Sequence, residues 1–360
     1  MKSSKSFQLK RKFGKDILNK SNIAKTKRNK NNNKKIDSKY KENCINIQKK
    51  KDKNENYDLS LYPINSYFKE IINSIILNSK YSNLQFVDEY IFDIIQYISQ
   101  NESVNIINYS KENIFKYQNI DYFNEKKRKS ILEYLFYYNY RWKLSNDSIY
   151  LTTNIMDRYI NKVKVNANEY ELIGLASFLI ASKYEDIYSP GANAISIIFS
   201  FKYNPKQILE KEKQILISLD FSLLYNSSYK YLNLIYNISE INNENVIYFS
   251  ELILELSLTD LNLLKYSQKK RALAAILFSK KIFGIKNGNY VIKFLFSYDE
   301  NEMKVIQKEY CLLLKSVVFC ENRNLIVEKF RSSKYGFIFS HFEKKLKEKE
   351  LKKEKMNLSS

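Results

Sequence analysis

Hydrophobic residues recur every three or four positions along most of the chain, which is the spacing of helices with one apolar face. Residues 127–143 and 147–161 each predict a helix of this kind. Residues 170–184 and 271–283 are instead apolar on nearly every side. A helix that is apolar all round belongs at the buried centre of a bundle. The pattern therefore predicts an all-α protein.

Local signals mark the ends of several predicted helices. Asn204 followed by Pro205 predicts the N-cap and first residue of a helix that continues over 206–219. Asn166 stands three residues before Glu169, an arrangement that predicts a capping box at the start of the first apolar helix. Each of these signals agrees with the hydrophobic pattern that follows it.

The two apolar helices also indicate a repeated plan. One ends in Ser182-Lys183 and the other in Ser279-Lys280, and Gly284 predicts the left-handed residue that follows the second. With about five helices on either side, the repetition predicts two tandem bundles. We place the first domain at 120–222 and the second at 223–340. Residues 57–119 form an N-terminal helical extension in this division.

Both ends of the chain are polar and charged. Residues 1–56 hold 19 Lys or Arg against 5 Asp or Glu, and we expect them to be a disordered basic tail. Residues 341–360 predict a charged tail or a frayed helix. Because most of the net charge of +21 lies in the first tail, the body of the chain is only mildly basic and does not predict direct nucleic-acid binding.

Residues that carry catalytic chemistry are few. Cys44, Cys311 and Cys320 form neither a disulfide framework nor a metal-binding pair, which favours a reducing, intracellular compartment. The only histidine, His341, borders the polar end, and the six glycines form no phosphate-binding loop. We therefore expect no metal, no cofactor, no membrane span, no secretory signal and no catalysis. A binding or regulatory protein remains.

Four segments of the first domain match the sequence patterns of one protein family in both order and spacing. RKSILEYL resembles the family pattern MRxILVDWL, and YLTTNIMDRY resembles LxVNxxDRF. LIGLASFLIASKYEDIY resembles LxGxxxxxxASKYEEIY, and ILEKEKQILISLDF resembles ILxMExxILxxLxF. The segments occupy residues 128–135, 150–159, 172–188 and 208–221. Over the whole first domain the chain thereby resembles the cyclin box of A- and B-type cyclins.

The resemblance continues on both sides of this box. Residues 90–98 resemble the N-terminal helix YxxDIxxYL of mitotic cyclins, 255–260 resemble ELSLxD, and 328–335 resemble the closing KFxxSKY. It implies two tandem cyclin-box bundles with an extra N-terminal helix. It also implies a non-catalytic regulatory subunit that binds and activates a cyclin-dependent protein kinase in mitotic control, in the nucleus and the cytoplasm.

The resemblance assigns roles to particular residues. Arg128 and Asp157 correspond to a buried structural ion pair, and Leu172 corresponds to a core position. The residues that correspond to the kinase-binding surface are Lys183, Glu212, Tyr184, Glu185, Asp186, Ile187, Phe221, Leu223, Tyr90 and Ile94. Lys183 and Glu212 are expected at the ends of their helices, with their side chains hydrogen-bonded to the kinase.

Two further features concern other partners. The first-helix patch that docks substrates in cell-cycle cyclins is altered here, at Lys127, Ser130, Ile131 and Tyr134. The tripeptide Lys41-Glu42-Asn43 matches a KEN degron and implies ubiquitin-ligase machinery as a partner.

Two alternatives stay open at this stage. The first is a transcriptional cyclin that activates a kinase of RNA polymerase. The second is a cyclin-fold transcription factor or scaffold that binds DNA or protein.

Overall fold

The structure, a computed structural model, describes part of the 360-residue chain. All described residues belong to one compact unit, Lys69–Ser360. The described residues are 91–102, 107, 109, 118, 125–239, 241, 243–285, 292, 293, 296, 298–320 and 324–358. Every regular element among them is a helix. The predicted all-α class is therefore confirmed.

The first bundle surrounds one buried helix. A separate helix precedes it, and the elements are α1 (Ile91–Gln100), α2 (Glu125–Arg141), α3 (Asn146–Lys162), α4 (Tyr170–Glu185), α5 (Ala192–Ile195) and α6 (Pro205–Ser218). Short 3-10 turns at Ala167–Glu169 and Ser196–Phe199 adjoin α4 and α5. Helix α4 packs against α2, α3 and α6, and its side chains from Leu172 to Ser182 are all buried. The central position predicted for this helix is confirmed.

The second bundle repeats this plan around α10. Its elements are α7 (Ser228–Ser239), α8 (Glu244–Ser257), α9 (Leu261–Leu264), α10 (Gln268–Ile282) and α11 (Glu300–Val318). Helix α10 packs against α7, α8 and α11. Two tandem bundles are therefore present, as the repetition in the sequence predicted.

The closing segment connects the bundles. It consists of α12 (Leu325–Phe330), a 3-10 turn at Ser333–Tyr335, and α13 (Ile338–Leu358). Helix α12 packs against α2 of the first bundle and α8 of the second. Helix α13 contacts α8 and α12 and includes most of the predicted charged tail, so that stretch is helical as far as Leu358.

Two of the predicted helix ends have the expected hydrogen bonds. The Asn204 side chain accepts from the Gln207 amide at 2.9 Å, and the Gln207 side chain accepts from the Asn204 amide at 2.9 Å. At the other end signal, Gly284 has φ +69°, and the next amide, Ile285, donates to Lys280 O at 2.8 Å. This left-handed turn satisfies carbonyl groups that the end of α10 leaves open.

The capping box predicted at Asn166 is wrong. The Asn166 side chain makes no capping hydrogen bond, and a 3-10 turn comes before α4. The Glu169 carboxylate instead lies 3.0 Å from Lys211 Nζ on α6. Glu169 thus forms an ion pair with another helix and not a hydrogen bond within its own turn. The local sequence does not reveal which of these two contacts forms.

Gly174 allows α2 to approach α4 closely. A Cβ at this position would lie 2.8 Å from Ile131 Cγ2 and 3.5 Å from Leu135 Cδ1. Gly174→Ala is therefore expected to destabilise the protein by roughly 1–2 kcal/mol, because overpacking outweighs the better helix propensity of alanine. Denaturant unfolding would measure this change. Gly191→Ala is the matched control, since a Cβ there meets nothing within 4 Å, and equal stability of the two variants would contradict the prediction.

Candidate functional site

A buried ion pair joins the first two helices of the first bundle. Arg128 Nε donates to Asp157 Oδ1 at 2.8 Å, and Arg128 Nη2 donates to Asp157 Oδ2 at 2.7 Å. Both side chains are fully buried. Two parallel hydrogen bonds of this kind satisfy most of the charge that burial removes from water. The structure thus places the two residues in the arrangement that the resemblance implied.

The same arginine also reaches the second bundle, which the sequence did not indicate. Arg128 Nη1 donates to the carbonyl oxygen of Leu258 at 2.8 Å, and the Tyr109 hydroxyl donates to Asp157 Oδ2 at 3.1 Å. Burial lowers the pKa of Arg128, but Asp157 raises it, and the net shift is upward. The guanidinium therefore stays charged while it links the two bundles.

A second buried ion pair lies where the closing segment meets both bundles. Lys329 Nζ on α12 lies 2.5 Å from Glu255 Oε1 on α8 and donates to Asn146 Oδ1 of α3 at 3.0 Å. Glu251, one turn before Glu255, is also buried. Burial raises the pKa of Glu251 to about 7, while Lys329 opposes the rise. Lys329 thus forms an ion pair with Glu255, and its positive charge also stabilises the ionised form of Glu251.

The C-terminal end of helix α1 is attached to the segment between the two bundles and to the second bundle. The Asn226 side chain donates to the carbonyl of Asn101 at 3.3 Å, and the Tyr231 hydroxyl donates to that of Ile98 at 3.1 Å. Glu102 accepts from the amide of Lys269 at 3.1 Å, at the start of α10. Because the N-terminus of a helix favours negative charge, this carboxylate fixes the end of α1 on the second bundle.

Lys183 and Glu212 lie side by side on the surface of the first bundle. Lys183 Nζ lies 2.7 and 2.9 Å from the two oxygens of Glu212, which joins α4 to α6. Lys183 is in the last turn of α4, as expected, but Glu212 lies in the middle of α6, so its expected place at a helix end is wrong. The pair is exposed on the lysine side and shielded on the glutamate side.

Large apolar side chains are exposed near the ends of these two helices. Ile187, just after α4, is 92% exposed, and Phe221, just after α6, is 67% exposed. Tyr184 is also exposed, and so is Tyr188, which the sequence prediction did not include. Phe221 has φ +56°, a left-handed conformation that is uncommon for a bulky residue and that concentrates at functional sites.

The two acids between these apolar residues are bound within the chain. Glu185 Oε1 lies 3.1 Å from Lys230 Nζ on α7, which connects the bundles. Asp186 accepts from the Ser145 amide at 2.7 Å and from the Ser148 hydroxyl at 2.5 Å. The two carboxylates therefore brace the end of α4, and any role in kinase binding stays a prediction.

The remaining predicted site residues are distributed differently. Leu172 is buried, as a core residue should be, and Ile94 and Leu223 are partly buried. Tyr90 lies outside the described residues, and so do Lys41, Glu42 and Asn43.

The altered docking patch is only partly a surface. Ser130 and Tyr134 are exposed one turn apart on α2, and the Tyr134 ring packs edge-on against Phe199 with centroids 5.6 Å apart. Lys127 is partly buried. Ile131 lies in the core against Gly174, so its placement in the patch is wrong because the helix turns it inward.

No metal-binding or membrane-spanning feature occurs in the part of the chain that the structure describes. Within it, no three His, Cys, Asp or Glu side chains converge in a group that could hold a metal ion. None of its helices is both long enough and apolar enough to cross a bilayer. What the described surface offers is an apolar face beside a charged pair, which suits protein binding.

The sequence matches two family models that cover adjoining parts of the chain. Residues 93–224 match the model of the cyclin N-terminal domain, and residues 227–344 match that of the cyclin C-terminal domain. The boundary between the matches falls just before α7, where the second bundle begins.

Individual relatives and a solved structure agree with these matches. The chain is 29% identical to G2/mitotic-specific cyclin-B of Spisula solidissima over 283 residues, which is 77% of this chain and 63% of the relative. It is 29% identical to G2/mitotic-specific cyclin-B2 of Homo sapiens over 262 residues, which is 71% of this chain and 63% of the relative. The chain therefore spans less than two thirds of the length of these relatives. The X-ray structure of a viral cyclin from herpesvirus saimiri superimposes with a TM-score of 0.54 at 15% identity, over 61% of this chain and 97% of that one.

Proposed function

Because this chain belongs to the cyclin family, we propose that it is a regulatory subunit that binds and activates a cyclin-dependent serine/threonine protein kinase in mitotic control. The mitotic relatives support the cell-cycle assignment over a transcriptional one. The observation that carries the proposal is the exposed apolar face around the Lys183–Glu212 pair. A soluble domain rarely exposes several large apolar residues together without a partner.

The proposed kinase-binding face combines a charged centre with apolar surroundings. Ile187 and Phe221 supply apolar area that a partner would remove from water, and this burial is the main source of affinity. Lys183 keeps donor groups at the surface, and the partly shielded Glu212 offers acceptor groups beside it, so both could also pair with groups of the kinase. Their contact with each other holds both side chains in place before binding, which reduces the entropy lost on association.

Activation needs rigidity from this subunit and no chemistry. A cyclin-dependent kinase is active when its regulatory helix is swung in, so that the Lys–Glu pair of its ATP site forms. A rigid partner that binds only this arrangement shifts the kinase population towards it. The buried pairs at Arg128 and Lys329 brace the two bundles against each other and supply that rigidity. We therefore propose a non-catalytic subunit that needs no cofactor or metal.

Replacing the charged pair tests the binding face. Lys183→Ala/Glu212→Ala in the full chain is expected to weaken binding to a cyclin-dependent kinase by roughly 1–2 kcal/mol or more, about tenfold or greater, because both polar contacts are lost. Binding would be measured by titration with purified kinase, and activation by phosphorylation of a histone substrate.

The matched control is the ion pair of Lys202 with Glu171, which is similarly exposed on the same bundle. Lys202→Ala/Glu171→Ala should leave both kinase measurements unchanged. If a well-folded wild type bound no cyclin-dependent kinase, or if the two double variants behaved alike, the proposed function or its face would be wrong.

Finer proposals concern regulation and place. The KEN tripeptide at residues 41–43 lies in a basic, polar segment and supports a role as a degron recognised by ubiquitin-ligase machinery. Lysine at 127, serine at 130 and tyrosine at 134 give the substrate-docking patch a different chemistry from the family pattern, and we propose a changed docking preference. The basic runs of the same tail support residence in the nucleus as well as the cytoplasm.

A further inference from the structure

Helix α11 of the second bundle carries an apolar stripe that no element in the described part of the chain covers. Val305, Leu312 and Phe319 are 48%, 66% and 52% exposed. They are seven residues apart, so they lie on one side of the helix over roughly 21 Å, with Phe319 as the C-cap residue. Single exposed apolar residues are ordinary, whereas three in line form a surface that water does not favour.

Two of the three acids of α11, Glu302 and Glu309, lie beside the stripe at helical spacing from Val305, and all three are paired with lysines. Each acid of the helix contacts a lysine elsewhere in the fold: Glu300 with Lys293, Glu302 with Lys270, and Glu309 with Lys265.

Of the three lysines of α11, Lys315 is partly buried. Lys304 and Lys308 are exposed, and Lys308 lies on the stripe between Val305 and Leu312 at helical spacing. The uncovered side of α11 therefore presents apolar groups and exposed lysines, and the charges of the two acids beside them are balanced by Lys270 and Lys265.

In the repeated plan of the fold, helix α11 of the second bundle corresponds to helix α6 of the first. Helix α11 packs on the central helix of the second bundle, as α6 packs on the central helix of the first. Helix α6 carries Glu212 and belongs to the proposed kinase-binding face, so the second bundle exposes the corresponding helix with no function assigned to it.

We propose that the α11 stripe (Val305, Lys308, Leu312 and Phe319) docks an acidic amphipathic helix of a partner protein. Apolar residues of that helix would cover the stripe, and its glutamates or aspartates would face Lys304 and Lys308. The chain's own tail, residues 1–56, is strongly basic and would be repelled. A second copy would bring the same lysines face to face, so charge also disfavours self-association through this stripe. The proposal does not depend on kinase binding.

A pair of synthetic peptides tests the charge preference. One is a helical peptide of three heptads with leucine at the core positions and glutamate beside them, and the other has lysine in place of every glutamate. With the full-length chain and fluorescence anisotropy, the acidic peptide is expected to bind at least about tenfold more tightly. Equal binding of the two peptides, or tighter binding of the basic one, would overturn the proposal.

Substitutions on the stripe test its location. Leu312→Ser and Phe319→Ser are each expected to weaken binding of the acidic peptide by roughly tenfold, and Lys308→Glu should favour the basic peptide instead. Ile197→Ser, at a comparably exposed apolar residue of the first bundle, is the control and should change nothing. All four side chains are at least partly exposed, so the variants should fold, which circular dichroism would verify. Peptide binding that the α11 substitutions do not change would show that the peptide binds elsewhere and would overturn the proposal. A dimer in sedimentation that Leu312→Ser abolishes would also overturn it, because a second copy would then occupy the stripe.

Discussion

Asp157→Ala is expected to lower the free energy of unfolding by roughly 3–5 kcal/mol, because it leaves the Arg128 guanidinium charged and buried without its carboxylate. The remaining partner of that guanidinium is the Leu258 carbonyl at 2.8 Å, and one neutral acceptor does not replace a bidentate carboxylate. The Tyr109 hydroxyl loses its acceptor in the same variant. Thermal and denaturant unfolding of the full chain would measure the loss.

The control for this prediction is an ion pair of the same chemistry at the surface. Lys162 and Asp220 lie 3.1 Å apart with both side chains largely exposed. Asp220→Asn should change stability by at most about 1 kcal/mol, since water and salt screen exposed pairs and asparagine tolerates the left-handed conformation of residue 220, which has φ +53°. A melting temperature of Asp157→Ala close to that of Asp220→Asn would show that the buried pair does not stabilise the fold.

Local features of the fold could be predicted from the sequence because they depend on neighbouring residues. Asn204, Pro205 and Gln207 form a capping box from groups three positions apart, and Gly284 supplies a backbone angle that other residues adopt at a cost. The apolar character of α4 and α10 likewise required a central position. Each of these signals is complete within a few turns of chain.

Contacts between distant segments could not be predicted in this way. Arg128 and Leu258 are 130 positions apart, and Lys329 and Glu255 are 74 apart. Nothing near Lys329 distinguishes it from the many solvated lysines of this chain. The failed capping box at Asn166 has the same cause, since Lys211 attracts the Glu169 carboxylate from another helix. Which charged side chains pair with each other is decided by how the bundles pack.

The candidate site was predicted in part, and the difference again follows from packing. Lys183, Glu212, Ile187 and Phe221 were all expected at the surface, but only the structure shows that the first two contact each other. Tyr188 is more exposed than Tyr184, although both are tyrosines of the same motif. The motif alone does not state which side chains of a helix end are turned outward.

Lys329→Met is expected to destabilise the protein by roughly 3–5 kcal/mol at pH 8, because Glu251 and Glu255 then remain buried without their shared cation. In the wild type, burial already raises the pKa of Glu251 to about 7, and removal of the lysine should raise both carboxyl pKa values further.

The pH dependence of this variant has a definite sign. A carboxyl whose pKa is higher in the folded state than the unfolded value of about 4.3 binds protons more tightly when folded, so stability falls as pH rises between the two values. The deficit of Lys329→Met should therefore shrink at pH 5.5 relative to pH 8, which urea unfolding at the two pH values would measure. A loss of stability that is the same at both pH values would contradict the proposed interaction of Lys329 with Glu251 and Glu255.

Two further variants separate charge from packing. Lys329→Met/Glu255→Leu replaces the buried pair with apolar groups and should recover part of the stability lost at pH 8, since a buried pair contributes little net stability over a well-packed apolar substitute, and only Glu251 is then left without the lysine. Lys265→Met removes the exposed partner of Glu309 and should have little effect at either pH. If the double variant regains stability while Lys265→Met is as stable as the wild type, the contact of α12 with α8 needs charge balance at Glu255 more than it needs the lysine itself. The retained pair would then serve to fix how α12 fastens one bundle to the other, because Lys329 also contacts Asn146 of the first bundle.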